Sequence, residues 1–177
     1  MEPLLKNIMK RKLLLGAATF IVMILNAQAQ SIALAEWKFI EGDKAGYIDS
    51  ALNEYWWDDI SPLTVWEKQG YEGYDGYAWY RVKVVVPSSM RRNANKYGGL
   101  MLNLGKIDDA DVTYFNGHIA GQTGKLPPDY ASAYDVQRSY IIPPGYIAWD
   151  KKNTIAVRVY DAGKGRSKAD HAIDLLP

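Results

Sequence analysis

The chain has 177 residues, 48% of them hydrophobic, no cysteine and a net charge of +1. The lack of cysteine excludes disulfides, thiol nucleophiles and thiolate metal sites. The near-neutral charge, with no Lys/Arg cluster beyond the first residues, excludes an electrostatic footprint for nucleic acid or an anionic membrane.

Lys6, Lys10, Arg11 and Lys12 precede an apolar run over residues 13–25, and Ala27-Gln28-Ala29 follows as a small-x-small site. This order is that of a secretory signal peptide over residues 1–29, cut after Ala29. The apolar run is too short for the roughly 20 residues that a membrane-spanning helix needs. The expected location is therefore secreted or periplasmic, with no membrane association after cleavage. The first 29 residues carry four basic side chains and Glu2, so the +1 of the whole chain becomes about −2 without them. Residues 30–177 are long enough for a single domain with a proper core.

Beyond residue 30 the dominant hydrophobic period is two. Residues 35–40 and 63–66 are short strand candidates. In Tyr80-Arg81-Val82-Lys83-Val84-Val85-Val86, positions 80, 82, 84 and 86 face one way, and Arg81 and Lys83 the other. Pro87 ends this strand. Residues 49–55 are expected to make one helical turn, and no segment carries a long amphipathic helix. Residues 100–104 alternate in the same manner. Asn116-Gly117, between Val112-Thr113-Tyr114-Phe115 and His118-Ile119-Ala120, predicts a two-residue hairpin. Residues 139–142 and 154–160 complete the set, the latter with Ile155, Val157 and Val159 inward. Short strands at roughly ten-residue spacing, separated by Gly, Pro and Asp turns, predict an all-β antiparallel sandwich.

Several stretches together resemble the jelly-roll sugar-binding domain of glycoside hydrolase family 2. This domain is of the galactose-binding-like type, and relatives occur in sialate O-acetylesterases. The stretches are Trp57-Asp58-Asp59-Ile60, Pro62-Leu63-Thr64-Val65-Trp66-Glu67, Gly76-Tyr77-Ala78-Trp79-Tyr80-Arg81 and Leu102-Asn103-Leu104-Gly105-Lys106-Ile107-Asp108-Asp109-Ala110-Asp111. Tyr114-Phe115-Asn116-Gly117, Ile119-Ala120-Gly121, Arg138-Ser139-Tyr140-Ile141-Ile142-Pro143 and Asn153-Thr154-Ile155-Ala156-Val157-Arg158-Val159-Tyr160-Asp161 follow in the family's order. The resemblance covers about residues 37–161. It implies a galactose-binding-like jelly roll that binds carbohydrate or supports a carbohydrate-active enzyme, with the catalytic acids in a barrel domain that this chain lacks. The departure comes after Asp161. Ala162-Gly163-Lys164-Gly165-Arg166 only approximates the family's Gly-rich turn, and His171-Ala172-Ile173-Asp174-Leu175-Leu176 is the candidate last strand, with truncation as the alternative.

Glycoside hydrolysis needs two carboxylates flanking one bond. Glu67, Glu72, Asp75, Asp108, Asp109 and Asp111 are the candidates, and none forms a defensible pair. In Asp108-Asp109-Ala110-Asp111 the side chains are expected to cap turns and strand ends. No cofactor or metal is expected, and structural calcium is the alternative there, because hard cations want several oxygens. A catalytic triad would need His118 or His171, and there is no G-x-S-x-G, Gly-Asp-Ser block, HExxH, P-loop or Rossmann fingerprint. No catalytic residue is assigned, and the chain is not expected to be an enzyme by itself.

Tyr71, Glu72, Tyr74, Asp75, Tyr77 and Arg81 are the candidate carbohydrate-binding residues, with packing of the Tyr/Gly loop on a neighbouring domain as an even alternative. Aromatic faces take the C–H face of a sugar, and carboxylates and guanidinium take its hydroxyls. Trp79, Tyr80 and Arg81 read better as framework, as do Trp57 and Trp66, with Asp109 or Asp111 as the candidate partner of Arg81. Pro127-Pro128-Asp129-Tyr130 and Tyr134 form a second Tyr-bearing loop. The expected partner is carbohydrate. The alternative is a docking or scaffold role for a hydrolase or esterase domain, with the Tyr loop at the contact.

Overall fold

The computed structural model describes residues 31–163 and 174–176. The expected signal peptide lies outside them, as do His171 and residues 164–166 of the expected turn. Among the described residues no helix is long and apolar enough to cross a membrane.

Two antiparallel sheets pack face to face. The strands are β1 (Ile32–Ala33), β2 (Trp37–Glu41), β3 (Asp58–Ile60), β4 (Gly76–Val85), β5 (Leu100–Lys106), β6 (Ala110–Phe115), β7 (His118–Thr123), β8 (Gln137–Ile142), β9 (Lys152–Asp161) and β10 (Asp174–Leu176). One sheet has the order β1-β10-β5-β8 and the other β3-β2-β4-β9-β6-β7. The long pair β4 and β9 runs in unbroken register from Gly76↔Asp161 to Val85↔Lys152 and forms the spine of the larger sheet. Asp174, Leu175 and Leu176 supply a strand between β1 and β5.

The inward faces follow the period-two pattern. Trp37, Phe39, Val82, Val84, Leu100, Leu102, Phe115, Ile142, Ile155 and Val157 form the core between the sheets. Burying each such side chain contributes roughly 1.5–3 kcal/mol. Asn116 and Gly117 join β6 to β7 with φ of 50° and 81°, the left-handed values that a type I′ turn demands. Gly121 on β7 is needed for a different reason. A Cβ there would lie 2.1 Å from the Tyr140 ring, so only hydrogen lets Tyr140 pack across β7.

Two local expectations differ from the structure, and one short helix was not expected. Residues 63–66 make no strand; they turn into a 3-10 helix over Trp66–Gln69, while Asp58–Ile60 pairs with β2 instead. The Gln69 side chain accepts from the Ser61 N–H at 2.8 Å and donates to the Ser61 and Thr64 carbonyls at 2.9 and 2.7 Å, so it supplies the bonds a neighbouring strand would have made. The helical turn expected over residues 49–55 falls at Ala45–Ile48. A short helix, α1 (Arg91–Tyr97), buries Ala94 against the core and ends at Gly98, whose φ is 83°. Seven residues are too few to show a helical period in sequence.

A buried ion pair joins the sheets. Arg138 on β8 donates through Nε to Asp111 on β6 at 2.9 Å, and both side chains are fully buried. Thr113 and Tyr140 each donate to the other Asp111 oxygen at 2.9 Å. Arg138 also donates to the carbonyls of Ala133, Val136 and Asp109 at 2.6, 2.5 and 3.2 Å. Burial pushes the Asp111 carboxyl up, and the donors around it oppose that shift. Removing one partner of such a pair typically costs about 3–5 kcal/mol, whereas replacing both with apolar groups can be neutral. Arg138→Met should therefore lower the unfolding free energy by about 3–5 kcal/mol in urea titrations, and the double variant Arg138→Met, Asp111→Leu should recover most of that loss.

Candidate functional site

The loop read as a ligand surface divides in two. Tyr71 and Tyr74 turn their rings inward. The Tyr71 ring lies 4.5 Å from Phe39, and its hydroxyl donates to Asp58 at 2.5 Å. The Tyr74 ring lies 5.8 Å from Trp66; its hydroxyl accepts from the Gly42 N–H at 2.9 Å and donates to the Tyr77 carbonyl. Burial pushes both phenols up, helped for Tyr71 by the Asp58 carboxylate. Their hydroxyls are committed to holding the loop. Glu72 and Asp75 are exposed and Tyr77 is half-buried.

Arg81 is fully buried and belongs to the framework. Its partner is Glu54, at 2.7 Å, and neither Asp109 nor Asp111. It also donates to the carbonyls of Tyr47 and Asp49, the latter at 2.9 Å, and lies 5.7 Å from the Trp57 ring centre. The reason is the segment before β3. Residues 45–57 fold over the outer face of β4, so Trp79 and Arg81 are buried there with Tyr47 and Trp57, while Tyr80 and Val82 face the sandwich core. The first half of β4 is thus covered on both faces, and simple alternation holds only from Val82 onward.

Where that cover ends, an aromatic cluster is left on the outer face of the larger sheet. Tyr77 and Tyr160 are cross-strand partners on β4 and β9, with ring centres 4.8 Å apart. Tyr130, from the second loop, meets Tyr160 at 5.5 Å. The two Tyr-bearing loops therefore converge through a strand residue, Tyr160, that sequence reasoning left out. The sole signal for it was its outward position in the alternation of residues 154–160. The Arg158 guanidinium sits 4.5 Å from the Tyr77 ring centre and forks onto Asp43, whose Oδ1 accepts from Nε at 2.8 Å. Burial pulls the guanidinium down, but the Asp43 carboxylate outweighs it and holds the charge in place. Tyr77, Tyr160 and Tyr130 meet at 59° and 64°. The tilt turns the three rings in different directions, whereas coplanar rings would make a flat strip. Asp75 and Gly163 border one another close by, where a Cβ on Gly163 would lie 2.3 Å from the Asp75 carboxylate.

The acidic stretch before β6 is mainly structural. Asp109 accepts from the Ser132 hydroxyl and from the Ala162 N–H at 3.0 Å, and its carbonyl accepts from the Ala133 N–H at 2.7 Å. These bonds pin the loop that carries Tyr130. Tyr130 itself bonds Asp109, and burial together with that carboxylate pushes the phenol up to about 12. Among the described residues no three His, Asp or Glu side chains are arranged to hold a metal ion. His118 is stacked on Tyr146, with ring centres 4.4 Å apart.

The arrangement is that of a β-sandwich with an aromatic cluster on one sheet. Comparison with solved structures places the fold. A β-glucuronidase from Bacteroides uniformis superposes with a TM-score of 0.66 at 21% identity, covering 84% of this chain and 18% of that one. A glycoside hydrolase family 2 member from Bacteroides cellulosilyticus gives 0.62 at 19% identity, over 83% of this chain and 20% of that one. A β-glucuronidase from Ruminococcus gnavus gives 0.60 at 13%, over 85% and 29%. This chain thus has the galactose-binding-like sandwich fold of one part of such enzymes, and it spans about a fifth of the length of the first of them. No family profile and no curated protein sequence matches it.

Asp108 is half-buried, and burial together with the neighbouring Asp109 pushes its carboxyl up to about 7. Above its ordinary value of 3.8 and up to about 7, the folded chain keeps a proton that the unfolded chain has lost. Its contribution to stability is therefore fully present below pH 3.8 and is lost as pH rises through about 7. Asp109 is shifted the other way by its donors and favours folding above the ordinary carboxylate range. Thermal midpoints of the unaltered chain should fall between pH 5 and pH 8 through Asp108, and Asp108→Asn should flatten that fall; parallel curves would contradict the assignment.

Proposed function

We propose that this chain is a secreted, non-catalytic carbohydrate-binding module of the glycoside hydrolase family 2 type, and that it binds sugar in the Tyr77–Tyr160–Tyr130 notch. The convergence of three tyrosines on one sheet face carries the reading. Their tilted rings offer apolar faces to sugar C–H groups. Asp75 and the Arg158–Asp43 pair stand near them as hydroxyl partners. The fold it shares with β-glucuronidases supports a role beside carbohydrate-active chemistry. Of the six residues expected from sequence, Tyr77 belongs to this proposed site with Asp75 beside its strand, while the Tyr71 and Tyr74 hydroxyls and the Arg81 guanidinium are bonded within the framework.

Losing one aromatic wall forfeits roughly 1.5–3 kcal/mol of apolar contact. Tyr160→Ala should therefore weaken glycan binding at least about tenfold in isothermal titration against a panel of plant and host glycans. Tyr71→Phe should leave affinity near that of the parent and lower the melting temperature instead. No heat with any glycan, or equal heats for parent and Tyr160→Ala, would refute the assignment.

A second reading, docking onto a separate hydrolase or esterase domain, draws on one feature. Tyr55 and Trp56 stand 74% and 83% exposed, with ring centres 4.7 Å apart. Such an aromatic pair, held in contact and left in water, suits an interface anchor. Co-purification with a catalytic domain that Trp56→Ser abolishes, while glycan heats persist, would favour docking as an additional role.

A further inference from the structure

A cavity of about 70 Å³ lies between the sheets, where β2, β4 and β9 face the end of β5, and none of Tyr77, Tyr130 and Tyr160 lines it. Trp37, Trp66 and Tyr80 wall it with aliphatic side chains, and Asp108, Asp161 and Lys106 bring polar groups to it, the Asp108 carboxyl being protonated up to about pH 7. Two observations set it apart from an ordinary packing gap. Trp66 is 5% exposed, and its indole N–H is the one buried side-chain polar atom among the described residues with no hydrogen-bond partner. A buried unpaired donor costs on the order of 1–3 kcal/mol, so native structures rarely leave one without a reason. The second observation is an uneven charge balance. Asp108 and Asp161 line the cavity, Asp109, Glu67 and Asp75 stand around them, and Lys106 is the cation in the lining.

The chemistry of the walls selects a ligand class. An anion would meet the carboxylates. An ammonium ion would satisfy them but offer no acceptor to the Trp66 N–H. A hydrocarbon would leave all the polar groups unpaired. A hydroxyl is both donor and acceptor, so it can take the indole proton and give its own to Asp108 or Asp161. Neighbouring CH groups would lie on the Trp37, Trp66 and Tyr80 rings. At about 30 Å³ of liquid volume per water, the space holds about two waters, which suits one hydroxyl-bearing edge of a polyol or a single sugar.

We propose that this inter-sheet cavity is a binding site for a small neutral polyhydroxyl ligand, a polyol or the hydroxymethyl edge of one sugar, with the Trp66 indole N–H as its donor and Asp108 and Asp161 as its acceptors. It uses none of the notch tyrosines, so the two sites stand or fall separately.

The test is a proton–nitrogen correlation spectrum of the full chain, with the Trp66 indole peak assigned by its loss in Trp66→Phe. Glycerol and glucose should each move that peak saturably, and methylammonium and acetate should not. Val157→Leu and Val159→Leu, each adding one carbon to the cavity wall, should weaken the response at least tenfold while the other tryptophan peaks keep their positions. Tyr160→Ala, which damages the notch, should leave the response intact. A Trp66 peak unmoved by both polyols would overturn the proposal, as would one moved equally by methylammonium or acetate, or a response unchanged in both valine variants. If Trp66→Phe fails to fold, the indole peak that responds to polyol and is lost from that response in the valine variants serves the same purpose.

Discussion

The buried pair of Arg138 and Asp111 governs more of this molecule than any other single contact. It ties a strand of each sheet to the other by charge. Every polar atom of it has work: Asp111 takes Thr113 and Tyr140 as well, and Arg138 reaches three carbonyls. That saturation offsets the cost of removing two charges from water. It also fixes the chain path from Ala133 to Val136, and with it the loop that presents Tyr130. The aromatic notch at the surface thus depends on an ion pair in the interior.

A second buried arginine does the parallel task on the other side of the larger sheet. Arg81 holds residues 47–54 down through Glu54 and two carbonyls, and Lys83 joins Glu54 at 3.0 Å. This cover takes Trp79 out of solvent and, by stopping where it does, leaves Tyr77 and Tyr160 uncovered. The carbohydrate reading rests on that boundary between covered and bare sheet. Asp43 marks it: one carboxylate accepts from the buried Trp79 indole at 3.2 Å and from the half-exposed Arg158.

How much was legible in sequence varied with the range of the interactions involved. The strands at residues 80–86, 100–104 and 154–160 and the Asn116-Gly117 hairpin rest on alternation and on one turn's backbone geometry, and both are local. The non-strand at residues 63–66 was illegible because Gln69 satisfies that backbone from a few residues away, and no alternation rule contains such a bond. In the site, Tyr77 was found and Tyr160 was missed. The two rings meet through the β4–β9 register, which brings together residues 83 positions apart. Tyr71 and Tyr74 share the composition of a ligand loop, and Phe39 and Trp66, which claim their rings, are distant in the pattern.

By itself the sequence determined the class of fold, because period-two burial and turn chemistry are written residue by residue. It determined equally that no thiol chemistry is available, since that needs only composition. Which aromatic rings face water was decided by the tertiary structure alone. Tyr, Trp and Arg serve core and surface equally well, being apolar bodies with polar ends. Their side is chosen by what packs over them, here residues 45–57 above β4 and the Arg138-held loop beside β9.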